Sequence, residues 1–194
     1  MKTGKRPHVV AEFAFAGLFG LGAVAPVLGC GFHPAMEVEL DTMYPGSLAV
    51  AVALRKGAQN GIIDAVATAP GNSEARYDIA VHRLQAFAQT LAASPAAGQL
   101  PANFSLGYVE SRLWSRFSHE GGRVSVQVHT DGPAKDEAVV LTGEPVVNAF
   151  LSGKLPVKRA IADGLLVIEG DARKTTAIRQ ALETVPATGR VSSR

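Results

Sequence analysis

Cys30 is the side chain of this sequence best placed to do chemistry. It is the one cysteine among 194 residues, and it stands near the end of a run, Phe13 to Phe32, that carries no charged side chain. Lys2, Lys5 and Arg6 precede that run. A basic start, an apolar stretch and then Val27-Leu28-Gly29-Cys30 make the pattern of a bacterial export signal whose cysteine sulfur is acylated once the peptide before it is removed. Gly29 and Val27 suit that cleavage site, whereas Leu28 is bulkier than the small residue usual there. The same run also suits an uncleaved anchor. Twenty residues at about 1.5 Å each cross a hydrocarbon core of ~30 Å, with the basic end held inside. Both readings place the rest of the chain on the periplasmic side of a bacterial membrane, tethered by lipidated Cys30 or by an N-terminal helix.

Nothing else in the chain has the spacing of a catalytic or metal centre. There is no phosphate-cradling glycine loop, no pair of cysteines, no HExxH and no Gly-x-Ser-x-Gly. His33, Met36 and Met43 are donors that soft metals accept, but their spacing is irregular and they fall in a segment that reads as a tether. His119-Glu120 and His129 flank a proposed hairpin and read as solvated strand ends. The expectation is a protein that is not an enzyme and holds no metal or cofactor.

Charge narrows the partners. Lys2, Lys5, Arg6 and Glu12 are the charged residues of the first 29, which leaves 16 of the 19 basic and 16 of the 17 acidic side chains in the remainder. That neutral remainder has no Lys/Arg-rich run, so nucleic acid is excluded as an expected partner. The most distinctive polar stretch is Glu110, Arg112, Trp114 and Arg116, which would share one face of a continuous strand. An indole between two guanidinium groups gains cation–π attraction, and Trp and Arg concentrate at protein interfaces. Arg112, Trp114 and Arg116 are therefore candidates for docking on a membrane protein complex. The alternative is a sheet face covered by the N-terminal helices, with the charges at its rim.

The elements that would hold these residues follow from spacing and punctuation. Residues 31–44 have no clear period. Pro45 opens a helix that runs to about Ala69, with Leu48, Val52, Leu54 and Ala58 on its apolar side. After Pro70-Gly71, Asn72 or Ser73 caps a second helix whose buried row is Tyr77, Val81, Leu84, Ala88 and Leu91. Phe104, Leu106 and Tyr108 alternate, and the pattern changes phase near Glu110, which predicts a bend or bulge in one strand reaching Phe117. Val124, Val126 and Val128 alternate in a second strand, and Ala138 to Leu141 is a third, so three strands in an antiparallel meander are expected. Glu144-Pro145 starts a helix stopped by Gly153, a short helix reaches Ala162, a strand covers Leu165 to Glu169, and Asp171 caps a last helix to Glu183.

The run Phe150-Leu151-Ser152-Gly153-Lys154-Leu155, then Ala160 and Ala162-Asp163-Gly164, then Val167-Ile168-Glu169-Gly170-Asp171, resembles the sterol carrier protein type two family. The likeness covers roughly residues 103–184, and its clearest motif residues 150–171. Such proteins are mostly intracellular, so an export leader departs from the pattern, as does the long helical region before the strands. The resemblance implies a sheet with helices over one face and an apolar tunnel between the layers that holds a lipid or sterol-like ligand without bond chemistry. The candidate lining is Phe104, Leu106, Val126, Val128, Phe150, Leu151, Leu166, Ile178 and Leu182, each of which is also an ordinary core position. The expected organisation is a signal or anchor over 1–29, a tether over 30–44, one α+β domain over 45–185 in which an antiparallel sheet is covered by helices, and a disordered tail over 186–194.

Overall fold

The structure, a computed structural model, describes residues 43–65 and 73–185. The leader with Cys30, most of the tether including His33 and Met36, the segment 66–72 and the tail fall outside the described residues. Helix α1 (Ser47–Gln59) ends at Asn60, and Gly61 takes a φ of +66. The periodicity carries this helix on to about Ala69. The left-handed glycine stops it sooner, and the amide of Ile62 folds back onto the carbonyl of Gly57 at 2.8 Å. Helix α2 (Ser73–Ala92) buries Ala80, Leu84, Phe87, Ala88 and Leu91 at helical spacing. Tyr77 leaves that buried row. It lies near the start of the helix, 38% exposed, with its ring 6.3 Å from that of His129.

Five strands form one sheet in the order β3-β2-β1-β4-β5. They are β1 (Asn103–Tyr108), β2 (Leu113–Glu120), β3 (Arg123–Thr130), β4 (Ala138–Thr142) and β5 (Val167–Glu169). The change of phase at Glu110 is a chain reversal and not a bulge. Residues 109–112 turn, with Arg112 at a φ of +53, and β1 and β2 pair antiparallel with Phe104 opposite Phe117. The irregularity in the ladder lies between Trp114 and Ser115. Gly121 and Gly122, both at positive φ, close the β2–β3 hairpin with a two-residue loop whose twist matches its strands.

The sheet is mixed where the sequence suggests an antiparallel one. β4 pairs parallel with β1, setting Ala138 beside Phe104, and β5 pairs antiparallel with β4. Asp131-Gly132-Pro133 therefore does not reverse the chain into a neighbouring strand. β3 ends beside Trp114 and β4 begins beside Phe104, at opposite ends of the sheet. Residues 131–137 must cross diagonally over two intervening strands, a path of about 20 Å at the usual strand rise and spacing. Glu137 fastens this crossover. Its Oε1 pairs with Arg116 Nε at 3.0 Å, and its Oε2 accepts from Ser105 Oγ at 2.7 Å and from the amide of Ala134 at 2.9 Å.

Trp114 anchors the other end of the crossed face. Its indole meets the Tyr44 ring edge-on at 5.9 Å and packs near Gly132. It also lies across Gly107, where an added Cβ would come within 2.9 Å of Trp114 Cζ3 and 3.0 Å of Met43 Cε. Gly107→Ala is expected to lower stability by about 1–3 kcal/mol, since overpacking moves rigid rings. A thermal melt unchanged from that of the parent would show that the indole can give way.

The opposite face carries Phe104, Leu106, Tyr108 and Phe117, and α2 and α3 (Glu144–Leu151) lie over it. Pro145 sits in the first turn of α3, and Gly153, at a φ of +75, ends it. Helix α4 (Val157–Ala162) leads to β5. Helix α5 (Ala172–Glu183) is capped by Asp171, whose Oδ1 accepts from the amides of Arg173 at 2.9 Å and Lys174 at 3.4 Å. Ile178, Ala181 and Leu182 turn from α5 into the core.

Candidate functional site

The nine proposed lining residues all fall in one hydrophobic cluster or pack against it. Phe104, Leu106, Phe150, Leu151, Leu166, Ile178 and Leu182 are buried, while Val126 and Val128 on β3 are half-buried. Aromatic rings fill the centre. Phe104 stacks on Phe117 at 4.9 Å and 13°, and Phe87 sets its edge to Phe117 at 5.8 Å and to Phe150 at 5.7 Å. These rings occupy the layer between sheet and helices in which an apolar tunnel would run.

Open space lies to one side of that layer. A pocket of about 360 Å³ is lined by Asn60, Gly61, Ile62, Ile63, Asp64, Ala149, Lys154, Leu155 and Arg159, and by none of the nine. Its wall comes from the loop after α1, the second half of α3 and the start of α4. Ile63, Ala149 and Leu155 are buried and give it apolar floor, while Lys154, Arg159 and Asp64 are exposed and give its rim two positive charges and one negative. Arg159 Nε also reaches Asp163 Oδ2 at 3.3 Å. Lys154 is held by the end of α3, its amide donating to the carbonyl of Ala149 at 2.9 Å. Volume, mixed lining and convergent polar groups suit a small amphipathic molecule. The signals for this pocket are the helix stops Gly61 and Gly153, which release both of its walls.

A second polar cluster lies at the other end of α3. Glu110, in the β1–β2 turn, is pressed against Gly143, where an added Cβ would stand 2.3 Å from Glu110 Oε1 and 2.8 Å from Leu54 Cδ2. Burial pushes its pKa up to about 7 from the usual 4.5, and the charge of Glu144 adds to the rise. The backbone amides of Glu110 and Glu144 oppose it by favouring the charged form. Neither carboxyl oxygen has a well-aligned hydrogen-bond donor among the described residues. Beside it, Arg83 pairs with Glu144, and the wholly buried hydroxyl of Tyr108 is likewise without a partner. Burial, then the Glu144 charge, raises the Tyr108 pKa well above its ordinary 10.

The three surface candidates do not share a strand face with Glu110. Glu110 and Arg112 belong to the turn, and Arg112 is exposed there. Trp114 is only 8% exposed and packs under Tyr44, and Arg116 is committed to Glu137 and to the carbonyl of Gly132 at 3.3 Å. The polar and aromatic character of this stretch serves the crossover that lies on it. His119 and His129 stand at opposite ends of the β2–β3 hairpin, His119 opposite Val124 and bonded through Nδ1 to the carbonyl of Leu100 at 3.3 Å. Among the described residues no three His, Cys, Asp or Glu side chains gather as a metal site, and no helix is long and apolar enough to cross a membrane.

No family model and no curated protein matches the chain. Several solved structures are similar to it. The ubiquinone synthesis protein UbiJ-SCP2 is 14% identical at a TM-score of 0.42, over 57% of this chain and 98% of that one. TT1886 from Thermus thermophilus, a conserved hypothetical protein named as a candidate sterol carrier protein, is 16% identical at a TM-score of 0.36, over 54% and 84%. The stereoselective inverting sec-alkylsulfatase Pisa1 from Pseudomonas sp. is 14% identical at 0.37, over 49% of this chain, which spans only 15% of that enzyme. Sterol-carrier-type proteins are thus among the solved structures similar to this α+β chain, at low identity and low TM-score.

Proposed function

We propose that this chain is an exported, membrane-tethered binding module that takes a small amphipathic, lipid-like ligand without altering it. The pocket beside α3 carries the reading. Its lining sets apolar Ile62, Ile63, Ala149 and Leu155, of which the last three are nearly buried, beside Lys154, Arg159 and the acidic Asp64. An anionic head group would meet Lys154 and Arg159, the latter shared with Asp163, and no catalytic group is needed. The tether follows from the leader, whose uncharged run and terminal Cys30 are those of an export signal.

Native mass spectrometry of the full-length protein, extracted from its membrane in mild detergent, tests this reading. A lipid that stays bound to the parent and is lost from Lys154→Glu/Arg159→Glu would support it. A clean apo mass would favour a second reading, an accessory subunit docking on a membrane protein complex. That reading draws on Leu48 and Val52, one helical turn apart on α1 and about half exposed, at 49% and 46%.

A further inference from the structure

We infer that β3 is a self-recognition edge, on which two copies of this chain pair antiparallel across a two-fold axis at Val126. The strand is the outer member of the sheet, and its far side is unpaired among the described residues. Its burial alternates from Arg123 to Thr130, and its pairing with β2 is regular up to Val128. The opposite edge, β5, has three residues.

Edges of this length usually carry a guard: a proline, an inward charge, a central lysine or a bulge. β3 has none of the first three between Val124 and Val128, and its left-handed residue, His129, lies beyond that run. The ladder irregularity at Trp114/Ser115 leaves His129 as the extra residue, so the bulge is on β3 itself, at the end beyond that run. Five residues are therefore free to add a strand.

The side chains select the occupant. In an antiparallel pair centred on Val126, Val124 stands opposite Val128 of the second copy, and Val126 opposite itself. Ser125 then faces Gln127. Each valine is half-buried against its own core. The pairing lays valine on valine along the helix side of the sheet and polar on polar along the other. Helix α2, which packs on β3, carries two of the exposed large apolar side chains, Tyr77 and Ile79, at 38% and 47%. Tyr77 lies near the end of the strand, its ring 6.3 Å from that of His129. Other registers set valine against valine less completely: centring on Ser125 leaves Val128 unmatched, and centring on Gln127 sets Val124 against Thr130.

Disulfide trapping in the full-length chain tests both the partner and the register. In a Cys30→Ser background, Val126→Cys should oxidise to a covalent dimer, because residues facing across the axis lie within disulfide reach. Val124→Cys alone should not, since its copy lies several residues along the partner strand, but mixed with Val128→Cys protein it should cross-link. Sedimentation of the otherwise native chain should give a dimer that Val126→Lys returns to monomer. Cross-linking at Val124 as fast as at Val126, or at neither, would overturn the inference, as would a monomer from the unaltered chain. Failure of lipid binding in the mass spectrometry above leaves this result untouched, because β3 contributes nothing to the pocket.

Discussion

Glu110→Gln is expected to stabilise the domain at pH 8 by about 2–3 kcal/mol and to change it little near pH 4. Unfolded, the Glu110 carboxyl titrates near its usual 4.5; folded, burial first and the charge of Glu144 second hold it at about 7. Below the unfolded value both states carry the proton and the site costs nothing. As pH rises from 4.5 toward 7, the unfolded chain releases its proton first and stability falls. Above 7 the folded site is charged in its notch over Gly143 and the whole cost stands. The backbone amides of Glu110 and Glu144 relieve it only in part. Arg83 is engaged with Glu144, and the Tyr108 hydroxyl is neutral across this range. Urea unfolding of parent and variant at pH 4, 6 and 8 measures the difference, in which titrations elsewhere cancel. A difference that does not vary with pH would mean that the carboxyl is solvated in the folded state.

Phe117→Ala is expected to cost about 3–5 kcal/mol, the range for removing a fully packed ring. Phe117 stacks on Phe104 and takes the edge of Phe87, which in turn reaches Phe150, so one truncation opens a void that touches both layers. The same substitution reports on function. If the layer between sheet and helices were a ligand tunnel, a shorter side chain would enlarge it at small cost, and added lipid would restore stability. A loss below about 1 kcal/mol would place Phe117 outside a filled core.

Much of this architecture is legible in the residues, and the failures have physical causes. Caps and stops are local, and they read well: Asp171 bonds the first amides of α5, and Gly153 closes α3. The alternation of Val124, Val126 and Val128 is that of an edge strand with one covered side. The hairpin at residues 109–112 is hidden because Glu110 and Arg112 are not turn residues by type, and Arg112 takes its left-handed φ without glycine. Strand partnership is hidden because parallel pairing of β4 with β1 depends on a crossover, and Asp131-Gly132-Pro133 reads as a tight turn whichever way the chain goes next. Trp114 and Arg116 look like surface chemistry because the loop that covers them lies elsewhere in sequence. The candidate lining residues are apolar strand and helix positions, but the pocket is walled by the loops after two helices. The signals there are glycines, which mark where a helix stops and not what gathers beyond it.

The parallel pairing of β4 with β1 also sets a timetable. β2 and β3 follow β1 at once through short loops, so this half of the sheet can form from neighbouring residues. β1 is nonetheless an interior strand, and its other neighbour arrives only after the hairpin and the crossover have been made. At a synthesis rate of about 5–20 residues per second, a growing chain holds β1 with one bare side for seconds. Closing that side is the most sequence-distant step in building the sheet and is expected to limit its rate. During this interval Phe104 and Leu106 have a partner strand on one side only. A chain truncated just after Thr130 would carry three strands with β1 left as a bare margin, and there mispairing with another chain would begin.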